Sequence, residues 1–297
     1  MALSLQGTYT ALVTPFRPDT SIDWAAFERL LEGQVAGKVS GVVPCGTTGE
    51  SPTLSHDEHN DVVRRTVGVI KGRTQVIAGT GSNSKREAIE MSKAAEAAGV
   101  DALMVVVPYY NKPTQEGLFR HFVEVAKSVR LPIVVYNIPG RTGIDLAAET
   151  LARICDAAAN VVATKEATGN VLRAQKLASL LGDRLTILSG DDALTLPMMS
   201  VGARGVISVT SNLLPTDVSD VTTLALQGKW TEARRAHAAL FSVHEAMFIE
   251  ANPGPVKALL ADTGMMLDGV RSPLVPVTEG TRAILKKIVD SYKKGQR

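Results

Sequence analysis

Eight short runs of β-branched and aliphatic residues recur at intervals of roughly 20 to 35 residues, and this spacing constrains the fold more than any other feature of the chain. They are T-Y-T-A-L-V-T (8–14), G-V-V-P-C (41–45), Q-V-I-A-G (75–79), A-L-M-V-V-V (102–107), P-I-V-V-Y (132–136), N-V-V-A-T-K (160–165), L-T-I-L-S (185–189) and G-V-I-S-V (205–209). Most are apolar on both faces, the pattern of parallel strands covered on each side. The stretches between them carry apolar residues at helical period. Two open with a capping-box pattern, S-H-D-E from Ser55 to Glu58 and S-K-R-E from Ser84 to Glu87, in which the serine accepts from a free helix N–H and the glutamate reaches back. Eight β-then-α units in series predict an α/β fold of the (β/α)8 TIM-barrel type. A doubly wound sheet is the alternative, but its first turn usually carries G-x-G-x-x-G, and the stretch here is T-P-F-R-P-D. The strands stop near residue 225, so residues 1–225 are expected to form the barrel and residues 226–297 a C-terminal helical extension. N-P-G-P (252–255) and R-S-P-L-V-P (271–276) read as linker-like joints within that extension, not as a second core.

Charge narrows the class of partner. The 297 residues include 32 basic and 30 acidic side chains for a formal charge of +2, without the concentrated basic face that nucleic acid or a membrane surface requires. The basic cluster Lys286, Lys287, Lys293, Lys294 and Arg297 reads as a solvated helix end. Cys45 and Cys155 make no disulfide framework. The start M-A-L-S-L-Q-G-T lacks the charged and apolar regions of a signal peptide, and no run has the length of a membrane span. A soluble cytoplasmic protein is the expectation.

Barrel enzymes carry their reacting groups at the C-terminal ends of the strands. Here those ends read C-G-T-T-G-E (45–50), P-Y-Y-N (108–111), Y-N-I-P-G-R-T-G (136–143), T-K-E-A-T-G (164–169) and S-G-D-D (189–192). Lys165 ends the sixth run, and a turn is expected immediately after it. At a period of two, Val161, Ala163 and Lys165 share one face, with a small alanine beneath the long side chain. One reading is a lysine that snorkels to solvent. The other is a desolvated amine whose neutral form attacks a carbonyl to give a Schiff base. Tyr136 ends the neighbouring run, roughly 4.8 Å away across the sheet, where a phenol can pass protons to and from the carbinolamine. G-T-T-G-E sets two hydroxyls in a glycine-flanked turn suited to a carboxylate. Arg141 offers a guanidinium fork for a second one, a surface salt bridge being its ordinary use.

Together, G-T-T-G-E-S, P-Y-Y-N-K-P, Y-N-I-P-G-R-T-G, K-E-A-T-G-N, S-G-D-D and G-V-I-S-V resemble the dihydrodipicolinate synthases, a family within the N-acetylneuraminate lyase superfamily of class I aldolases. The resemblance runs from about Gly7 to the N-P-G-P-V-K stretch near residue 257. It implies Schiff-base condensation of pyruvate with L-aspartate 4-semialdehyde, giving 4-hydroxy-tetrahydrodipicolinate for the diaminopimelate and lysine pathway. No metal or organic cofactor is implied. Lys165 matches the Schiff-base lysine, Tyr136 the proton-shuttling tyrosine and Thr47 the hydroxyl that links two tyrosines. Tyr110 matches the second tyrosine, which reaches into the neighbouring subunit's site of a homotetramer built as a dimer of dimers. Thr48 matches a pyruvate-carboxylate binder, Ile207 the position beside the pyruvate methyl, and Arg141 the group that receives the semialdehyde carboxylate. Ser51, His56, His59, Asn83, Glu87 and Tyr109 match the site at which L-lysine inhibits some members, although Pro52 departs from the small residue often found there. Residues alone leave Glu87 as a capping-box member and both histidines as a solvated first helical turn.

Sibling aldolases that cleave N-acetylneuraminate or keto-deoxy-sugar acids share the lysine, the tyrosine and a G-x-T-G-E turn. Tyr109-Tyr110 and Arg141 favour the synthase, whose acceptor is short and carries a carboxylate. A metal-dependent aldolase needs ligands at strand ends, whereas His56, His59, His121, His237 and His244 all fall in helical stretches. A barrel that only binds, without catalysis, is expected to have lost Lys165 or Tyr136.

Overall fold

The computed structural model describes residues 3–295, so Arg297 of the basic cluster lies outside the described residues. Eight strands, β1 (Gly7–Ala11), β2 (Gly41–Val43), β3 (Gln75–Gly79), β4 (Ala102–Val106), β5 (Ile133–Asn137), β6 (Val161–Glu166), β7 (Thr186–Ser189) and β8 (Gly205–Ser208), pair in parallel in sequence order, and β8 closes on β1. The helices are α1 (Trp24–Ala36), α2 (His56–Ile70), α3 (Lys85–Ala98), α4 (Gln115–Lys127), α5 (Pro139–Thr142), α6 (Ala148–Ala157), α7 (Val171–Leu181), α8 (Thr195–Ser200), α9 (Pro215–Leu226), α10 (Trp230–Ala246), α11 (Gly254–Asp262) and α12 (Glu279–Gly295). The (β/α)8 TIM barrel expected from the eight runs is the observed fold.

The doubly apolar runs are explained by two buried layers. Tyr9, Val43, Ile77, Met104, Val134, Tyr136, Ala163, Leu188 and Ile207 fill the barrel interior. Their alternates, including Val42, Val76, Leu103, Val105, Val135 and Ile187, face outward and join Phe27, Leu31, Val62 and Phe122 of the surrounding helices. Closure is tight. A Cβ on Gly205 would lie 1.9 Å from the Gly7 carbonyl oxygen, so this seam admits only glycine.

Three local expectations are corrected. The period of two does not hold through β6, because the β5–β6 register shifts between Ile133 and Val134; Val161 therefore packs outward while Ala163 faces the interior. No turn begins directly after Lys165, since β6 continues through Glu166, whose buried carboxylate accepts from Arg173 Nε at 2.8 Å. The capping box at Ser55 is complete, but at Ser84 only half of it exists. Ser84 caps the Glu87 N–H, while its own N–H donates to Ser82 Oγ at 3.0 Å and the Glu87 carboxylate accepts from that same hydroxyl at 2.8 Å.

Beyond α9, helices α10 and α11 add Val243, Ala246, Val256 and Leu259 to the main core. The N-P-G-P stretch is no linker, because Asn252 through Leu260 are all buried. Arg271, in the second joint, forks onto Glu58 at 2.6 and 2.7 Å and donates to the carbonyls of Thr20 and Thr53, which holds the Glu58 carboxyl down at about 2. Among the described residues no helix is long and apolar enough to cross a membrane.

Candidate active site

Lys165 and Tyr136 sit opposite one another across the β5–β6 pairing, and Leu188 of β7 completes the row. Interior packing on both sides leaves the lysine 5% exposed. Its Nζ lies 4.3 Å from the centroid of the Tyr136 ring. Burial lowers its pKa to about 8; the Asp192 carboxylate opposes that fall and the Arg141 guanidinium adds to it. Tyr136 is pushed up to about 12 by burial, against the lowering influence of the Thr47 hydroxyl and Arg141. An amine with an accessible neutral form thus meets a phenol that stays protonated, the pairing that imine chemistry requires. Of the two readings of Lys165, snorkelling to solvent is excluded by its burial.

The G-T-T-G-E segment leaves β2 through a tight loop. Cys45 and Glu50 both adopt left-handed backbone angles, φ 56° and 55°. The N–H groups of Gly49 and Ser51 converge on the Gly46 carbonyl at 3.1 and 3.3 Å. A Cβ on Gly49 would stand 3.0 Å from the Leu12 carbonyl oxygen, which keeps that position small. The loop presents Thr47 to a cavity of about 380 Å³. Thr48 is buried instead, its Oγ1 accepting from Asn252 Nδ2 at 3.0 Å.

Tyr136, Thr47, Arg141, Met104 and Ile138 line that cavity, and so do Ser51, His56, His59, Glu87 and Tyr109. Two groups kept separate by the sequence reading therefore share one space. Ile207 is buried in the interior cluster with Tyr136 and Ala163. Arg141 belongs to α5, a single helical turn that opens with Pro139 and Gly140, and is exposed. Asn83 does not line the cavity; its carbonyl accepts from Asn111 Nδ2 at 3.0 Å. His59 is not the solvated histidine of a first helical turn. It is buried, its Nε2–H donates to the Gly79 carbonyl at 2.7 Å, and burial lowers its pKa. Tyr110 stands apart from its own chain's cavity, 88% exposed and held at φ 71°, a conformation a bulky residue rarely adopts.

A family model described as "Dihydrodipicolinate synthetase family" matches residues 4–292. The chain belongs to the dihydrodipicolinate synthetase family. A relative named 4-hydroxy-tetrahydrodipicolinate synthase, from Sorangium cellulosum (strain So ce56), is 59% identical over 281 residues, covering 94% of this chain and 93% of its own. Among solved structures, the 4-hydroxy-tetrahydrodipicolinate synthase of the thermoacidophilic methanotroph Methylacidiphilum fumariolicum SolV is 49% identical with a TM-score of 0.96, covering 98% of this chain and 97% of that one. A dihydrodipicolinate synthase structure from Cyanidioschyzon merolae with lysine bound is 37% identical with a TM-score of 0.94, covering 97% of this chain and 98% of that one.

Three polar groups near the strand ends were not singled out from the sequence. Asp192 accepts from Ser208 Oγ and from the N–H groups of Val209 and Thr210, which fixes the position of its carboxyl group. Lys257, fully buried, reaches Glu50 at 2.5 Å. Asn252 holds Thr48. Asn252 and Lys257 were signalled only as polar side chains in a proline-bounded, otherwise apolar stretch, and Asp192 by its place in the S-G-D-D strand end. Among the described residues, no cluster of three or more His, Cys, Asp or Glu side chains has a metal-binding arrangement.

Proposed function

We infer that this enzyme condenses pyruvate with L-aspartate 4-semialdehyde to give 4-hydroxy-tetrahydrodipicolinate, with Lys165 as the covalent centre. The observation that carries the reading is the buried, pKa-lowered Lys165 amine 4.3 Å from the Tyr136 ring in a chain of this family. The neutral amine attacks the C2 ketone of pyruvate, and Tyr136 supplies a proton as the carbinolamine hydroxyl leaves as water. Loss of a methyl proton converts the iminium to an enamine, whose carbon adds to the aldehyde of the second substrate. The substrate's own amine then displaces Lys165 as the ring closes, so one water is released overall. The protonated imine is itself the electron sink, and the chemistry calls on no metal or organic cofactor. Thr48 binds the pyruvate carboxylate, Ile207 borders its methyl, Arg141 receives the semialdehyde carboxylate, and Thr47 connects Tyr136 to the Tyr110 of a neighbouring subunit. The same reading makes the enzyme a cytoplasmic homotetramer, a dimer of tight dimers. It treats residues 1–225 as the catalytic barrel and residues 226–297 as its extension.

Turnover of the two substrates, coupled to the next reductase and followed by NADPH loss, is the direct test. A borohydride-trapped pyruvate adduct at Lys165 without turnover assigns the chain to a sibling aldolase with another acceptor. An adduct on a different lysine removes the assignment.

L-Lysine inhibition is the second reading. It is favoured by the position of Ser51, His56, His59, Glu87 and Tyr109 along the same cavity as Tyr136 and Arg141, with Asn83 on the adjoining loop. A carboxylate and a phenol there suit the ammonium groups of the amino acid. Calorimetric binding of L-lysine, with loss of turnover that Glu87→Gln relieves, is expected; no heat and full activity at millimolar lysine end this reading.

A further inference from the structure

The segment that follows α10 holds the substrate turn at two points. Asn252 donates from Nδ2 to Thr48 Oγ1 at 3.0 Å. Five residues on, Lys257 makes its buried ion pair with Glu50, two residues beyond Thr48. Thr48 and Asn252 are 3% and 5% exposed, so no bulk water competes for their hydrogen bonds. The Asn252 Oδ1 finds no partner among the described residues, which leaves the Thr48 contact as the bond that its side chain makes.

A hydroxyl has one proton and two acceptor lone pairs. When a carboxamide N–H occupies a lone pair, the hydroxyl proton is turned away from the amide and stays free for an anionic acceptor. We propose that Asn252 is a positioning residue for the pyruvate carboxylate, acting through Thr48 by holding that hydroxyl as a donor toward the substrate. The proposal rests on Thr48 being the carboxylate-binding hydroxyl. It gives the helical extension a part in substrate recognition, since Asn252 belongs to the segment that joins α10 to α11.

The test compares the Michaelis constants for both substrates in Asn252→Asp, Asn252→Ala, Thr48→Val and the Asn252→Ala/Thr48→Val pair, with thermal unfolding as the check on folding. Asn252→Asp preserves shape, takes the Thr48 proton and sets a negative charge beside an anionic substrate. It is expected to raise the pyruvate constant by about tenfold or more. Asn252→Ala should raise it by about three- to tenfold, leave the semialdehyde constant within about twofold, and add nothing further once Thr48 is valine. That non-additivity is what a purely structural role for Asn252 would not produce. An unchanged pyruvate constant in Asn252→Asp, with Thr48→Val impaired, overturns the role of Asn252 alone. If Thr48→Val binds pyruvate normally while the Lys165 adduct still forms, the carboxylate role of Thr48 falls and the proposal falls with it.

Discussion

A lysine 5% exposed inside a barrel is costly to keep charged, and the same cost makes it reactive. Burial lowers the pKa to about 8 from an ordinary value of 10.5, so a useful fraction of neutral amine exists near neutral pH. The rate of pyruvate capture is therefore expected to rise with pH by nearly tenfold per unit below about 8, and to level off above it. Borohydride trapping between pH 6 and 9 measures this directly, and a flat profile would contradict the depressed pKa. The stability consequence has the opposite sense to a favourable ion pair. The unfolded chain holds the proton more tightly than the folded one, so the penalty is complete below about pH 8 and fades as pH rises toward 10.5. Lys165→Met is accordingly expected to unfold at higher temperature than the wild type at pH 7, with the difference shrinking as pH rises from about 8 toward 10.5. Tyr136 shows the complementary effect, since burial that frees the amine of its proton keeps the phenol protonated.

At the level of elements, the barrel was legible because parallel strands between two apolar layers cannot alternate, and eight such runs have one simple closed arrangement. Lys165 and Tyr136 were legible for the same reason, as polar residues at the ends of those runs. What escaped the sequence was any pairing that depends on distant segments. The fault in the β6 period comes from its register with β5, which Val161 and Ala163 do not encode by themselves. Asn252 and Lys257 sit in a proline-bounded stretch that looks like a joint, and only the fold brings them to Thr48 and Glu50. The Lys257–Glu50 pair is fully buried at both ends, with Lys257 also over the Phe16 ring at 4.2 Å and donating to the Gly269 carbonyl at 2.8 Å. Removing one partner strands the other charge. Lys257→Met is expected to lose about 3–5 kcal/mol of stability, while Lys257→Met combined with Glu50→Gln should recover a large part of it. Denaturant unfolding of the two variants decides this, and a single variant as stable as the wild type would show the pair to be dispensable.

At the scale of the whole molecule, Tyr110 is the residue that a single chain does not account for. Its ring is exposed, its backbone is held in the left-handed region, and its N–H is tied to the Thr142 carbonyl at 3.4 Å beside the one-turn helix that carries Arg141. Backbone strain of this kind persists where the surroundings impose it, and here it turns a phenol outward from the rim of the site. If a neighbouring subunit uses that phenol, each active site is built from two chains, and two defective proteins can repair each other. A Lys165→Ala protomer lacks the amine but supplies its tyrosine, and a Tyr110→Ala protomer keeps the amine but lacks the tyrosine. In a two-fold dimer of the two, one site receives the intact lysine together with the partner's intact tyrosine, and the other receives neither. Random reassortment of equal amounts makes half the dimers hybrid, so about one quarter of wild-type activity is expected to return. Turnover measured before and after co-refolding of the two variants reads this out. Activity that never exceeds the mean of the two parents would place the function of Tyr110 within its own chain.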